Sequence, residues 1–97
     1  MSINGKQRAY LRSLANTQET ILHIGKEGIS QNTVKQAYDA LEARELIKCA
    51  VMHGASMDAR EACQELCEKT GAEPVQCIGS RFVIYRQSRD NQKIFFD

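Results

Sequence analysis

Two short apolar runs, Thr20-Ile21-Leu22-His23-Ile24 and Leu46-Ile47-Lys48-Cys49-Ala50-Val51, are separated by one stretch with helical spacing. In that stretch Val34, Ala37, Tyr38 and Leu41 recur at i, i+3, i+4 and i+7, and Ser30 stands where an N-cap is wanted. A strand, a helix and a second strand in this order imply a right-handed crossover between parallel strands. The pattern then repeats. Asp58 opens a further helix whose Ala59, Ala62, Cys63, Leu66 and Cys67 form a second apolar stripe, and Gly71 stands at its left-handed C-cap. Val75–Ile78 and Phe82–Tyr85 flank Gly79-Ser80, a two-residue hairpin signal. Ahead of all this, Asn4 with Gln7 caps a helix to Ala15 whose Tyr10, Leu11 and Leu14 supply the buried face. The order α-β-α-β-α-β-β predicts an α/β fold: a four-stranded mixed sheet packed by helices in one compact domain over residues 1–87. Residues 88–97 read as a polar, partly mobile tail in which Ile94-Phe95-Phe96 can fold back.

A chain of 97 residues supports one domain with a working core. No stretch approaches the roughly 18–20 apolar residues of a membrane span, and Met1–Lys6 lacks an apolar export core. The expected compartment is the cytoplasm. The cysteines Cys49, Cys63, Cys67 and Cys77 show no C-x2-C pair and no accompanying histidine pair, so all four are expected in the core and no metal is expected. Charge is segregated. Residues 58–73 hold five acids (Asp58, Glu61, Glu65, Glu68, Glu73) and two bases, while the rest carries eleven bases against seven acids. The molecule should present one acidic helix face and a basic remainder suited to an anionic partner.

Little in the chain suggests catalysis. There is no phosphate-loop signature, His23-Ile24-Gly25-Lys26 departs from the synthetase HIGH motif at its fourth residue, and a Cys49–His53 pair lacks an orienting group. No enzyme, cofactor or small-molecule substrate is expected. The informative junction is Gly25-Lys26-Glu27-Gly28, between a strand and a helix. Glycines permit tight turning and close approach of a ligand, a helix N-terminus suits phosphate, and Lys26 adds a cation. The same ingredients occur in the GXXG loop of KH-type RNA-binding domains, while the tetrapeptide alone also fits an ordinary turn. Arg8, Arg12 and Lys26 come from adjacent segments and are expected to converge beside the loop. Tyr10 and Tyr38 fall in apolar stripes, so contact with RNA backbone is expected over readout of unstacked bases.

Several motifs in order resemble one family. Gly5-Lys6-Gln7-Arg8 with Leu11-Arg12 and Ala15, then Ile24-Gly25-Lys26-Glu27-Gly28, Leu41-Glu42-Ala43-Arg44-Glu45-Leu46-Ile47-Lys48, and finally Ile78-Gly79 with Tyr85-Arg86 are similar to the CRM domain (chloroplast RNA splicing and ribosome maturation). The resemblance spans Ile3 to Arg86 and is to the bacterial stand-alone YhbY/YqeI type. It implies a four-stranded mixed sheet with helices, like the C-terminal domain of a translation initiation factor. It also implies RNA binding, with rRNA of the precursor large ribosomal subunit as partner. Carried over by motif, Gly25, Lys26 and Gly28 form the loop, Lys6, Arg8 and Arg12 the basic helix face, and Arg86 follows the last strand. Glu27 is an acid where the family more often has a neutral or basic residue, and it is expected to face away from RNA. The alternative is a module that docks on a ribosomal or assembly protein without touching RNA.

Overall fold

The computed structural model describes residues 3–96. Each helix starts where a side chain can satisfy a first-turn N–H. Ahead of α1 (Gly5–Ala15), Asn4 Oδ1 accepts from the Gln7 N–H at 2.8 Å and Gln7 Oε1 accepts from the Asn4 N–H at 3.0 Å. Ser30 and Thr33 do the same for α2 (Gln31–Arg44), as do Asp58 and Glu61 for α3 (Ala59–Thr70). Gly71 ends α3 at φ +80°, a backbone geometry in which a Cβ is strained.

Strands β1 (Thr20–Ile24), β2 (Leu46–Val51), β3 (Glu73–Ile78) and β4 (Arg81–Tyr85) form one sheet in the order β1-β2-β4-β3. β1 is parallel to β2, and β4 runs antiparallel to both β2 and β3. The mixed sheet expected from the element order is therefore present, with the second hairpin strand inserted beside β2. β3 and β4 begin earlier than the apolar runs suggested, at Glu73 and Arg81. Polar starts and Pro74 hide a strand from a hydrophobic scan, and proline is tolerated because β3 is an edge.

Alternate residues serve two cores. Ile47, Cys49, Phe82 and Ile84 pack with Leu22 and Ile24 beneath α2 and α3. Leu46, Val83, Tyr85 and Val75 pack beneath α1 on the opposite face, joined by Ile94 and Phe96 from the C-terminal segment. Residues 88–96 thus fold back along their length, and Glu45 is the reason. Its carboxylate is fully buried and accepts from the N–H groups of Ser88 (2.6 Å), Lys93 (2.7 Å) and Ile94 (2.6 Å). Glu45 also sits at φ +67° at the end of α2, a strained position for a non-glycine residue. Sequence patterning gave this acid no role because it adjoins an exposed helical turn.

Of the four cysteines, Cys49 and Cys63 are buried, Cys67 is half-buried and Cys77 is exposed, the last on the edge strand, where it lines an open groove with Arg60 and Cys67 of α3. Burial pushes the Cys49 thiol up to about 12. An alkylating reagent near neutral pH should label Cys77 first and leave Cys49 unmodified until the protein unfolds, as peptide mass mapping would read. Labelling of Cys49 at the rate of Cys77 in folded protein contradicts this core. Glu45→Ala should cost about 1.5–3 kcal/mol in denaturant unfolding, the scale for a hydrogen-bonded buried charge. It should also strip hydrogen-exchange protection from Ser88, Lys93 and Ile94; protection that survives there would mean Glu45 does not hold the segment.

Candidate nucleic-acid interface

Gly25 and Gly28 close the turn between β1 and α2: the Gly28 N–H donates to the Gly25 carbonyl at 3.0 Å. Lys26 and Glu27 stand exposed at its tip. Gly28 adopts φ +69°, and a Cβ there would lie 3.3 Å from Met57 Cε and 3.4 Å from Ser56 Oγ. Position 28 is thus glycine for conformation and for packing against the loop before α3. Gly25 differs, since a Cβ there would meet nothing within 4 Å, leaving its backbone approachable from outside. α2 follows at once with no acid in its first turn. Helix geometry leaves the leading N–H groups of Gln31 and Asn32 available to an anion.

Convergence of the α1 bases on this turn is not what the topology gives. α1 packs over Leu46, Val83, Val75 and Tyr85, and its start is tied to β3: the Ile3 N–H donates to the Glu73 carboxylate at 3.0 Å. The glycine turn instead follows Ile24, which pairs with Val51 at the far end of β2. From Leu46 to Val51 the strand rises by about 16 Å, so α1 and the turn lie at opposite ends of the sheet. Lys6 and Arg12 are exposed. Arg8 is half-buried, and its Nε donates to the Pro74 carbonyl at 3.3 Å. Glu73, grouped by sequence with the acidic helix, belongs to this α1 seat.

Between α1 and the turn runs the uncovered part of the sheet. His23, Ala50, Arg81 and Ile78 form one row by register, and Lys48 lies in the next row beside Val83. All share the face of Val83, which α1 covers farther along. Lys48 and Arg81 thus link Lys26 at one end to Arg12 and Lys6 at the other. The apolar runs and the glycine turn of the sequence place neither base. The period-two alternation of β2, with Ile47, Cys49 and Val51 on the helix-covered side, is the signal that would have put Lys48 on the open face.

Arg86 is elsewhere. Its guanidinium donates to the Thr70 carbonyl at 2.9 Å, pairs with the Glu42 carboxylate, and lies 4.1 Å from the Tyr38 ring centroid. With its side chain 12% exposed, Arg86 ties α2 to the end of α3 and is spent inside the fold. Its position after the last strand suggested an RNA contact; internal ion pairing and cation–π packing remove that charge from the surface. Tyr10 departs the other way, being 47% exposed where its stripe position predicted burial, because the apolar face of α1 centres on Leu11 and Ala15. The acids of α3 lie across the sheet from α1, with Glu65 paired to Lys69. Among the described residues no group of three or more metal-ligating side chains is assembled, and no helix is long and apolar enough to cross a membrane.

Comparison with known proteins agrees with this architecture. The model of the CRS1/YhbY (CRM) domain matches residues 3–86. YqeI of Bacillus subtilis, described as a probable RNA-binding protein, is 38% identical over 92 residues, covering 95% of this chain and 96% of that one. An RNA-binding protein of Haemophilus influenzae is 29% identical over 90 residues, covering 92% of this chain and 90% of its own length. The solution structure of a hypothetical protein from Staphylococcus aureus, described as a candidate RNA-binding protein, superposes with a TM-score of 0.81 at 47% identity, covering 99% of this chain and all of that one. A domain match over nearly the whole chain, with the fold to go with it, places the protein: it belongs to the CRS1/YhbY (CRM) domain family.

Proposed function

We propose that this protein binds RNA without catalysis, and that its target is rRNA in precursor large ribosomal subunits during assembly in the cytoplasm. The observation that carries the reading is segregation of charge by the sheet. Lys26, Lys48, Arg81, Arg12 and Lys6 lie along the turn, the open sheet face and α1, while the acids of α3 lie behind. The names carried by its relatives support RNA as the partner.

In this reading one phosphate approaches the Gly25 backbone and the first turn of α2, with Lys26 neutralising it. The remaining bases engage phosphates farther along a folded RNA. A spread of about 16 Å along the strands exceeds what a single phosphate needs and suits the backbone of a structured RNA read by shape. Glu27, exposed at the tip beside Lys26, turns its carboxylate away from the RNA in this reading, because facing a phosphate it would weaken binding.

Each phosphate neutralised contributes about −0.9 to the slope of log affinity against log salt on a duplex, and about −0.7 on a single strand. Lys26→Ala and Arg81→Ala should each flatten that slope by about one unit for a naked large-subunit rRNA fragment, measured by fluorescence anisotropy. Glu68→Gln, on the acidic face, should leave it unchanged. Slopes untouched by both basic substitutions would remove this face from the interface. Failure of the wild-type protein to bind naked rRNA, with retention on assembling particles, would favour docking on a protein component instead. Salt-sensitive co-sedimentation with particles at or below the large subunit is the expected cellular result.

A further inference from the structure

Where the C-terminal segment returns across α1 it leaves a cleft of about 300 Å³ lined by Asn4, Lys6, Gln7, Tyr10, Phe95 and Phe96. That is the lower end of the range for small-molecule sites. Four large apolar side chains are well exposed among the described residues, and two of them, Tyr10 at 47% and Phe95 at 66%, line this cleft. Exposed aromatic surface gathered in a concavity marks a binding surface more than chance does. Tyr10 and Phe96 are braced against each other. Phe96 is wedged edge-on against Tyr10 and Tyr85, with centroids 6.1 and 5.8 Å apart, and Glu45 pins the segment through Lys93 and Ile94.

We infer that this cleft receives an unpaired nucleobase of the bound RNA, stacked against the exposed rings of both Tyr10 and Phe95. The inference rests on the RNA-binding reading above and adds to it a site for single-stranded nucleotides. Charge complementarity selects this occupant. Among the described residues the lining includes the Lys6 ammonium and no carboxylate, and α1 carries three bases and no acid. A nucleotide brings an aromatic face for the rings and a phosphate for Lys6, the pairing used by single-strand binding surfaces. The capping box employs only the side-chain oxygens of Asn4 and Gln7. Each amide therefore keeps an NH2 group as a donor at the edge of the cleft, able to meet a base carbonyl or ring nitrogen. α1 packs on the open-sheet side, so a base flipped from an RNA lying on that face can reach the cleft.

The test uses two RNA probes with the full-length chain: a short single strand carrying one 2-aminopurine, and a blunt duplex of equal phosphate number. Stacking should quench 2-aminopurine fluorescence on binding to wild type. Phe95→Ala and Tyr10→Leu should abolish the quench and weaken the single strand by roughly five- to a hundredfold, the range for removing one base–aromatic stack. Tyr10→Phe should retain both signals, and duplex affinity should not move. Phe95 is exposed, so its variant tests the site even where Tyr10→Leu loosens α1. Quenching that persists in Phe95→Ala and Tyr10→Leu, or losses equal for single strand and duplex, would overturn the stacking site. Salt-dependent duplex binding with no quench overturns it while leaving RNA binding intact, and binding of neither probe overturns both.

Discussion

Strand β2 is the constraint on which the rest of the molecule depends. It pairs with β1 in parallel on one side and with β4 in antiparallel on the other, and its successive side chains go to different cores. Ile47 and Cys49 are closed over by α2 and α3, whereas Leu46 anchors α1 on the reverse face. Lys48 and Ala50 lie on that reverse face beyond α1. A slip of one residue would exchange these faces, burying Lys48 under the helices and exposing Ile47. Two-sidedness of the sheet is what sets Lys48, Arg81 and the bases of α1 apart from the acids of α3, and the interface follows from it.

The second organising feature is the polar knot at the far end of α2. Glu45 collects three backbone N–H groups from the C-terminal segment and accepts strain at φ +67° in doing so. Nearby, Glu42 accepts from Arg86 and from the Ser88 hydroxyl, and Arg86 packs over Tyr38. Buried charge is tolerated here because nearly every polar atom finds a partner. This network seats Ile94 and Phe96 on the α1 core and thereby shapes the aromatic cleft.

Much of this was legible in the sequence, for local reasons. Capping residues Asn4, Ser30 and Asp58, the C-cap Gly71 and the Gly79-Ser80 hairpin act within a few residues of themselves, so they announce element ends directly. The apolar stripes of α2 and α3 have unambiguous helical spacing. What escaped depends on contacts distant along the chain. Arg86 reads as a surface base until Glu42, 44 positions away, neutralises it. Glu45 reads as solvated until residues beyond 87 arrive to donate to it. Tyr10 falls in an apolar stripe, yet the seat of α1 on β2 and β4 decides which residues that helix buries. Convergence of Arg8 and Arg12 on the glycine turn failed for the same reason: proximity in sequence order says nothing about which end of a sheet a helix crosses.

What unites turn, sheet face and α1 into one interface is a spatial claim, and a residue-resolved titration addresses it most directly. Backbone amide shifts should be followed by NMR as a large-subunit rRNA fragment is added to the labelled protein. The account predicts perturbations at Gly25–Gly28, at His23, Lys48 and Arg81, and along the exposed side of α1, with the acidic face of α3 silent. Shifts concentrated on α3, with the open sheet face unchanged, would contradict it.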